Sequence, residues 1–148
     1  MYENAASIVF VVAIADYHKT MYEDAQENRL NDSLVTFEMI CSHPLLLHLP
    51  LLLVFSKKDL LLETLQHYPL NSYFPNYEGG INVDEAFLFI KNLFISKVPT
   101  IREEVLVEFI SCLNEQDIHR IFHIILNRVS SETRIDGDEI KQEALLIQ

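Results

Sequence analysis

Four consecutive residues, Ser56-Lys57-Lys58-Asp59, follow directly on an unbroken apolar run, Leu51-Leu52-Leu53-Val54-Phe55. A carboxylate presented at the end of a buried strand can accept two parallel hydrogen bonds from one ligand edge. The N1–H and exocyclic amine of guanine offer such a pair of donors, and adenine does not. Each charge-assisted bond contributes roughly 1.5–3 kcal/mol. Asp59 is therefore a candidate acceptor for a purine edge, and the methylene stem of Lys57 can lie across the base plane through apolar and cation–π contact. The competing reading is a solvated Lys-Lys-Asp turn that caps the next helix, because four-residue motifs match by accident.

Other side-chain groups have simpler accounts. Glu115, His119 and His123 recur every four residues, a spacing that would align them on one helix flank. Structural zinc wants four ligands, however, and the sequence places no others, so a polar helix flank is expected and no metal site is assigned. His43 and His48 stand around prolines and require no metal. Asp136-Gly137-Asp138-Glu139 matches only part of a twelve-residue calcium loop and is expected to be an exposed acidic tail. Cys41 and Cys112 cannot make a disulfide framework, and both are expected to be buried apolar thiols. Phe87, Phe89 and Phe94 fall at helical spacing and are assigned to the core.

The elements that must position Asp59 are legible from patterning. Residues 7–14, Ser-Ile-Val-Phe-Val-Val-Ala-Ile, run without alternation, which predicts a strand covered on both faces, as in a parallel sheet. Leu51 to Phe55 predicts a second strand and residues 104–110 a third. Leu30, Leu34, Phe37 and Ile40 predict a helix that ends before His43-Pro44. Asn82, with Glu85 three residues on, predicts the capped start of another helix, whose inner face is Ala86, Ile90, Leu93 and Phe94. Asn114 is the expected cap of the last helix, with Leu113 and Ile118 as a hydrophobic staple. Ile118, Ile121, Phe122, Ile125, Leu126 and Val129 form its expected apolar stripe. Strand–helix alternation with long connections predicts an α/β fold with three parallel strands and helices on the sheet faces. Ligands of such sheets bind beyond the carboxyl ends of the strands, at Asp16, residues 56–59 and residues 111–114.

Composition narrows the partners. The 148 residues carry 11 Lys+Arg against 22 Asp+Glu, a net charge of −11, which repels nucleic acid and anionic lipid. The apolar stretch 5–15 follows Glu3, lacks a small-residue cleavage site and is too short to span a bilayer. A cytoplasmic protein without a transmembrane segment is expected, brought to the membrane face only through partners.

A wider pattern surrounds the four-residue motif. Residues 8–13, Ile-Val-Phe-Val-Val-Ala, are followed by Asp16-Tyr17. Then come Glu23-Asp24, Asn28-Arg29-Leu30, Ser33-Leu34 and Phe37, followed by Lys57-Lys58-Asp59-Leu60 and Phe74-Pro75-Asn76-Tyr77-Glu78-Gly79. In order and spacing this resembles the C-terminal half of heterotrimeric G protein α subunits over residues 1–129, with a divergent acidic tail over 130–148. The resemblance implies part of a Ras-like P-loop NTPase fold, N-terminally truncated, that binds GTP or GDP. Lys57 and Asp59 would hold the guanine, with Ser56 where the family has Asn. Ile110-Ser111-Cys112-Leu113 would be the second guanine loop, in which the Cys112 backbone N–H meets the base carbonyl. It also implies βγ-subunit, receptor and effector partners in G protein-coupled receptor signalling.

The sequence departs from the family's remaining machinery. It contains no Gly-x-x-x-x-Gly-Lys-Ser/Thr and no Asp-x-x-Gly-Gln, so magnesium and phosphate contacts are implied by the family only. No catalytic residue is assigned, and weak or no nucleotide binding is expected. The Ser130–Gln148 stretch does not match the family ending. The strand at 7–14 is expected to have an unpaired edge through which the chain self-associates. A non-enzymatic interaction module derived from an α subunit, or a piece of a longer GTPase, is the alternative.

Overall fold

The computed structural model describes residues 5–23, 25–102 and 104–132. Strands β1 (Ile8–Ala13), β2 (Leu51–Ser56) and β3 (Val105–Phe109) form one parallel sheet in the order β1-β2-β3. Helix α1 (Arg29–Ser42) crosses from β1 to β2; α2 (Leu61–His67) and α3 (Val83–Ile95) lie between β2 and β3; α4 (Glu115–Glu132) follows β3. The three expected strands and three expected helices are all present. Helix α2, expected only as the helix that a Lys-Lys-Asp turn would cap, is anchored by Leu61 and Leu65, both fully buried and one turn apart.

The register explains the two layers. Phe10 pairs with Leu53 and Val12 with Phe55, while Leu53 pairs with Val107 and Phe55 with Phe109. These residues share one face and meet Leu34 and Phe37 of α1, Leu65 of α2, and Ile90 and Phe94 of α3. A chain of ring contacts runs through that core, from Phe10 to Phe37 (5.2 Å), Phe94 (5.3 Å), Phe55 (5.3 Å) and Phe109 (4.8 Å). Edge-to-face and offset pairs of this kind add to the area they bury. On the opposite face, Leu52 and Val54 pack with Ile118, Ile121, Ile124 and Ile125 of α4.

Both helix caps expected from asparagine are present. Asn82 Oδ1 accepts from the N–H groups of Asp84 (3.0 Å) and Glu85 (3.2 Å), and Asn114 Oδ1 from those of Gln116 (3.0 Å) and Asp117 (3.2 Å). Asn28 caps α1 in the same way and also donates from its side-chain amide to the Tyr17 carbonyl. The Phe74-to-Gly79 motif has a steric logic. Phe74 and Tyr77 are buried, and a Cβ on Gly79 would come within 2.5 Å of the Tyr77 hydroxyl. Only glycine leaves that ring its place.

Four expectations are corrected. Strand β2 is buried along its whole length, but β1 is not covered on both faces: Val9 is 39% and Val11 59% exposed. Helix α4 sits over β2 and β3, leaving the corresponding face of β1 only partly covered. The apolar stripe of α4 is rotated accordingly, with Ile124 inside and Phe122 (59%) and Leu126 (43%) exposed. Leu113 is 90% exposed and makes no staple with Ile118. Cys41 is buried as expected, whereas Cys112 is exposed, because it sits in a loop that turns away from the core.

Candidate functional site

All three strands end on one edge of the sheet, so the segments that follow them share that edge. Asp16 closes the short 3-10 turn after β1, and residues 57–60 follow β2. Residues 110–114 follow β3. The sequence placed these three segments together, and the structure does so.

Asp16 is a buried carboxylate with three cations around it: Lys57 Nζ at 2.8 Å, Lys19 Nζ at 2.9 Å and Arg29 at 3.8 Å. Burial alone would raise its pKa, but the hydrogen bonds and charges of Lys57 and Lys19 outweigh it and hold the carboxyl below its ordinary value. Lys57 is thereby tied at its tip, with its stem partly exposed. Its backbone is left-handed (φ 62°), the one such non-glycine among the described residues.

On the other side, Lys58 Nζ lies 2.6 Å from Asp117 Oδ2. The same oxygen accepts the Ser111 backbone N–H at 2.9 Å, and Oδ1 accepts from Arg120 at 3.1 Å. The Lys58 hydrogen bond, then the Ser111 N–H, hold the Asp117 carboxyl below its ordinary pKa. No sequence signal singled out Asp117. An Asp in the first turn of a helix looks like ordinary dipole compensation, and its partner is 59 positions away in the chain.

The four sequence-predicted residues divide into two kinds. Ser56 is buried, and its hydroxyl donates 3.2 Å to the Val12 carbonyl, tying β2 to β1. Lys57 is held by Asp16. Asp59 is exposed, and its carboxylate has no hydrogen bond or ion pair among the described residues. Cys112 is likewise exposed, and its backbone N–H has no acceptor among them. The site therefore combines a free acceptor group and a free backbone donor on two loops at one sheet edge. Purine-edge recognition needs those two functions.

The remaining groups hold no comparable site. His119 lies 3.5 Å from Glu115, both exposed, and the described residues contain no group of three potential metal ligands. A cleft of about 460 Å³ lies at the opposite, amino-terminal edge between Pro50, Arg102, Glu104 and Arg128. Arg102 turns its guanidinium away into the fold, onto the Leu49 and Leu46 carbonyls at 2.7 Å each. No helix among the described residues is long and apolar enough to cross a membrane.

A parallel α/β sheet with its loops gathered at the carboxyl edge is consistent with part of the domain of the guanine nucleotide-binding proteins. The G-protein alpha subunit family matches residues 1–129, and the chain belongs to that family. It is 39% identical over 93 residues to the guanine nucleotide-binding protein alpha-17 subunit of Caenorhabditis briggsae, covering 63% of this chain and 26% of that protein. It is 37% identical over 99 residues to the alpha-9 subunit of Dictyostelium discoideum, covering 67% and 29% respectively. With the alpha-8 subunit of the same organism the identity is 32% over 117 residues, covering 79% and 29%. The chain thus spans less than a third of the length of these relatives, as part of a Ras-like α-subunit domain.

Proposed function

We propose that this chain carries the guanine-base half-site of an α-subunit-like signal transducer and supplies no phosphate-gripping or hydrolytic group itself. The observation that carries the reading is the pairing of an uncommitted Asp59 carboxylate with an uncommitted Cys112 N–H. In this role Asp59 accepts from guanine N1–H and the exocyclic amine, the Cys112 N–H donates to the base carbonyl, and the Lys57 stem covers one face. Ser56 serves indirectly by fixing the loop to β1. Phosphate and Mg²⁺ need a nest of backbone amides and a hydroxyl ligand, and the chain's three glycines, Gly79, Gly80 and Gly137, do not form that motif. Base contacts alone net about 3–5 kcal/mol, which corresponds to millimolar dissociation at best.

Titration of the ¹⁵N-labelled chain tests this. Guanosine should shift the amides of Asp59 and Cys112 at millimolar concentration, GTP should bind no more than a few-fold better, and adenosine should leave them in place. Asp59→Ala should abolish the guanosine response. Micromolar GTP binding without guanosine binding would overturn the reading.

Association with βγ subunits, a receptor and an effector at the cytoplasmic face of the membrane extends this proposal by family. The division into an α-subunit portion over 1–129 and a divergent tail over 130–148 belongs to it as well; residues 133–148 lie outside the described ones. A second reading, a non-enzymatic interaction module that self-associates, is favoured by a different observation. Strand β1 is an edge strand of the sheet, and its Val9 and Val11 side chains are exposed.

A further inference from the structure

Two loops can read one base only if the distance between them is set. Asp59 and Cys112, the groups that face the ligand in the reading above, each come one residue after a clamped neighbour. Lys58 precedes Asp59, Ser111 precedes Cys112, and both Lys58 Nζ (2.6 Å) and Ser111 N–H (2.9 Å) end on Asp117 Oδ2. The Lys58 backbone N–H also donates to the Ile110 carbonyl at 3.2 Å, and its Nζ to that of Phe109 at 3.4 Å. Among the described residues, every hydrogen bond from the 57–60 loop to the second loop runs through Lys58. Ser56 does not contribute, since its hydroxyl faces Val12.

Local preference does not hold this loop. Lys57 is left-handed without being glycine, a conformation that persists only where surrounding structure over-determines it. The surroundings do so by drawing adjacent lysines apart, Lys57 to Asp16 and Lys58 to Asp117. Asp117 is itself immobilised: it is buried, its N–H is capped by Asn114, and its second oxygen is held by Arg120. We infer that Asp117 is the positioning residue of the base half-site, setting the separation of the Asp59 carboxylate and the Cys112 N–H through one carboxylate oxygen. The inference rests on the half-site reading. Asp117 touches no ligand in this role.

Guanosine titration of the ¹⁵N-labelled full chain, with Asp117→Ala, Lys58→Met, Lys58→Arg and Lys97→Ala alongside the unaltered protein, tests it. Asp117→Ala and Lys58→Met should each weaken guanosine binding about tenfold or more, since a misplaced partner forfeits the paired contacts. Lys97→Ala breaks an exposed ion pair with Glu38 (2.9 Å) that involves neither loop, and should keep the affinity within about twofold. Lys58→Arg should restore most of the affinity. If Asp117→Ala loses its dispersed amide spectrum, Lys58→Met and its rescue decide the matter. Unchanged affinity in Lys58→Met and Asp117→Ala, or an equal loss in Lys97→Ala, would overturn the inference while leaving the half-site reading intact. Absence of any guanosine response in the unaltered chain would overturn both.

Discussion

At the scale of single residues, two buried carboxylates organise the carboxyl edge of the sheet, and their ionisation couples to folding. Asp16 and Asp117 both titrate below the ordinary aspartate value of 3.8 in the folded chain. In the unfolded chain they return to about 3.9. A depressed folded pKa means that the charged form is favoured by folding, so its contribution is complete above pH ~4 and is lost as pH falls through the folded pKa values. Asp16→Asn and Asp117→Asn should therefore lower the thermal midpoint at neutral pH, yet shrink the further drop seen on acidification below about pH 4. Melting curves from pH 6 downward, followed by circular dichroism, would show the variant and parent curves converging. Parallel curves would remove these carboxylates from the acid transition. Asp16 was legible as a strand-end residue, and Lys19 stands only three positions on; Arg29 and Lys57 were not legible as its partners, because ion pairs closed by tertiary contact have no local pattern.

At the scale of elements, asparagine caps show how far local chemistry reaches. Asn82→Ala removes the acceptor of two backbone N–H groups at the start of α3 and should cost about 1 kcal/mol in urea unfolding. Asn28→Ala should cost more, about 1–2 kcal/mol, because the same side chain also donates to the Tyr17 carbonyl beyond β1. Leu113→Ala should change stability by no more than about 0.5 kcal/mol, as expected of a residue that is 90% exposed. A larger loss would reinstate the hydrophobic staple. The Asn82 and Asn114 caps were readable because cap and helix lie within four residues of each other. The staple was misread for a related reason: its spacing is local, but whether Leu113 turns inward depends on a loop held by Asp117.

For the whole molecule, the partly covered flank of β1 governs behaviour in solution. Among the described residues, β1 is an edge strand with exposed Val9 and Val11, a combination that templates strand addition. The isolated chain should sediment as a concentration-dependent oligomer, and Val11→Lys should shift it toward monomer. A stable monomer at high concentration in the parent chain would count against self-association. Multiple-turnover phosphate release from GTP should not exceed the buffer rate, because the sequence holds neither Gly-x-x-x-x-Gly-Lys-Ser/Thr nor Asp-x-x-Gly-Gln.

The linear pattern by itself determined the α/β class, the three parallel strands, the apolar faces of α1 and α3, and the meeting of three loops at one edge. Each of these follows from hydrophobic periodicity and from the rule that parallel strands end together. Tertiary structure alone decided where α4 lands, which side of β1 stays only partly covered, and that Cys112 and Leu113 face outward. It also decided that Asp16 and Asp117 draw Lys57 and Lys58 in opposite directions. The physical reason is the same throughout. Periodicity states the direction of an apolar stripe within an element, whereas helix placement and the pairing of distant charges are set by contacts that exist only once the chain has closed on itself.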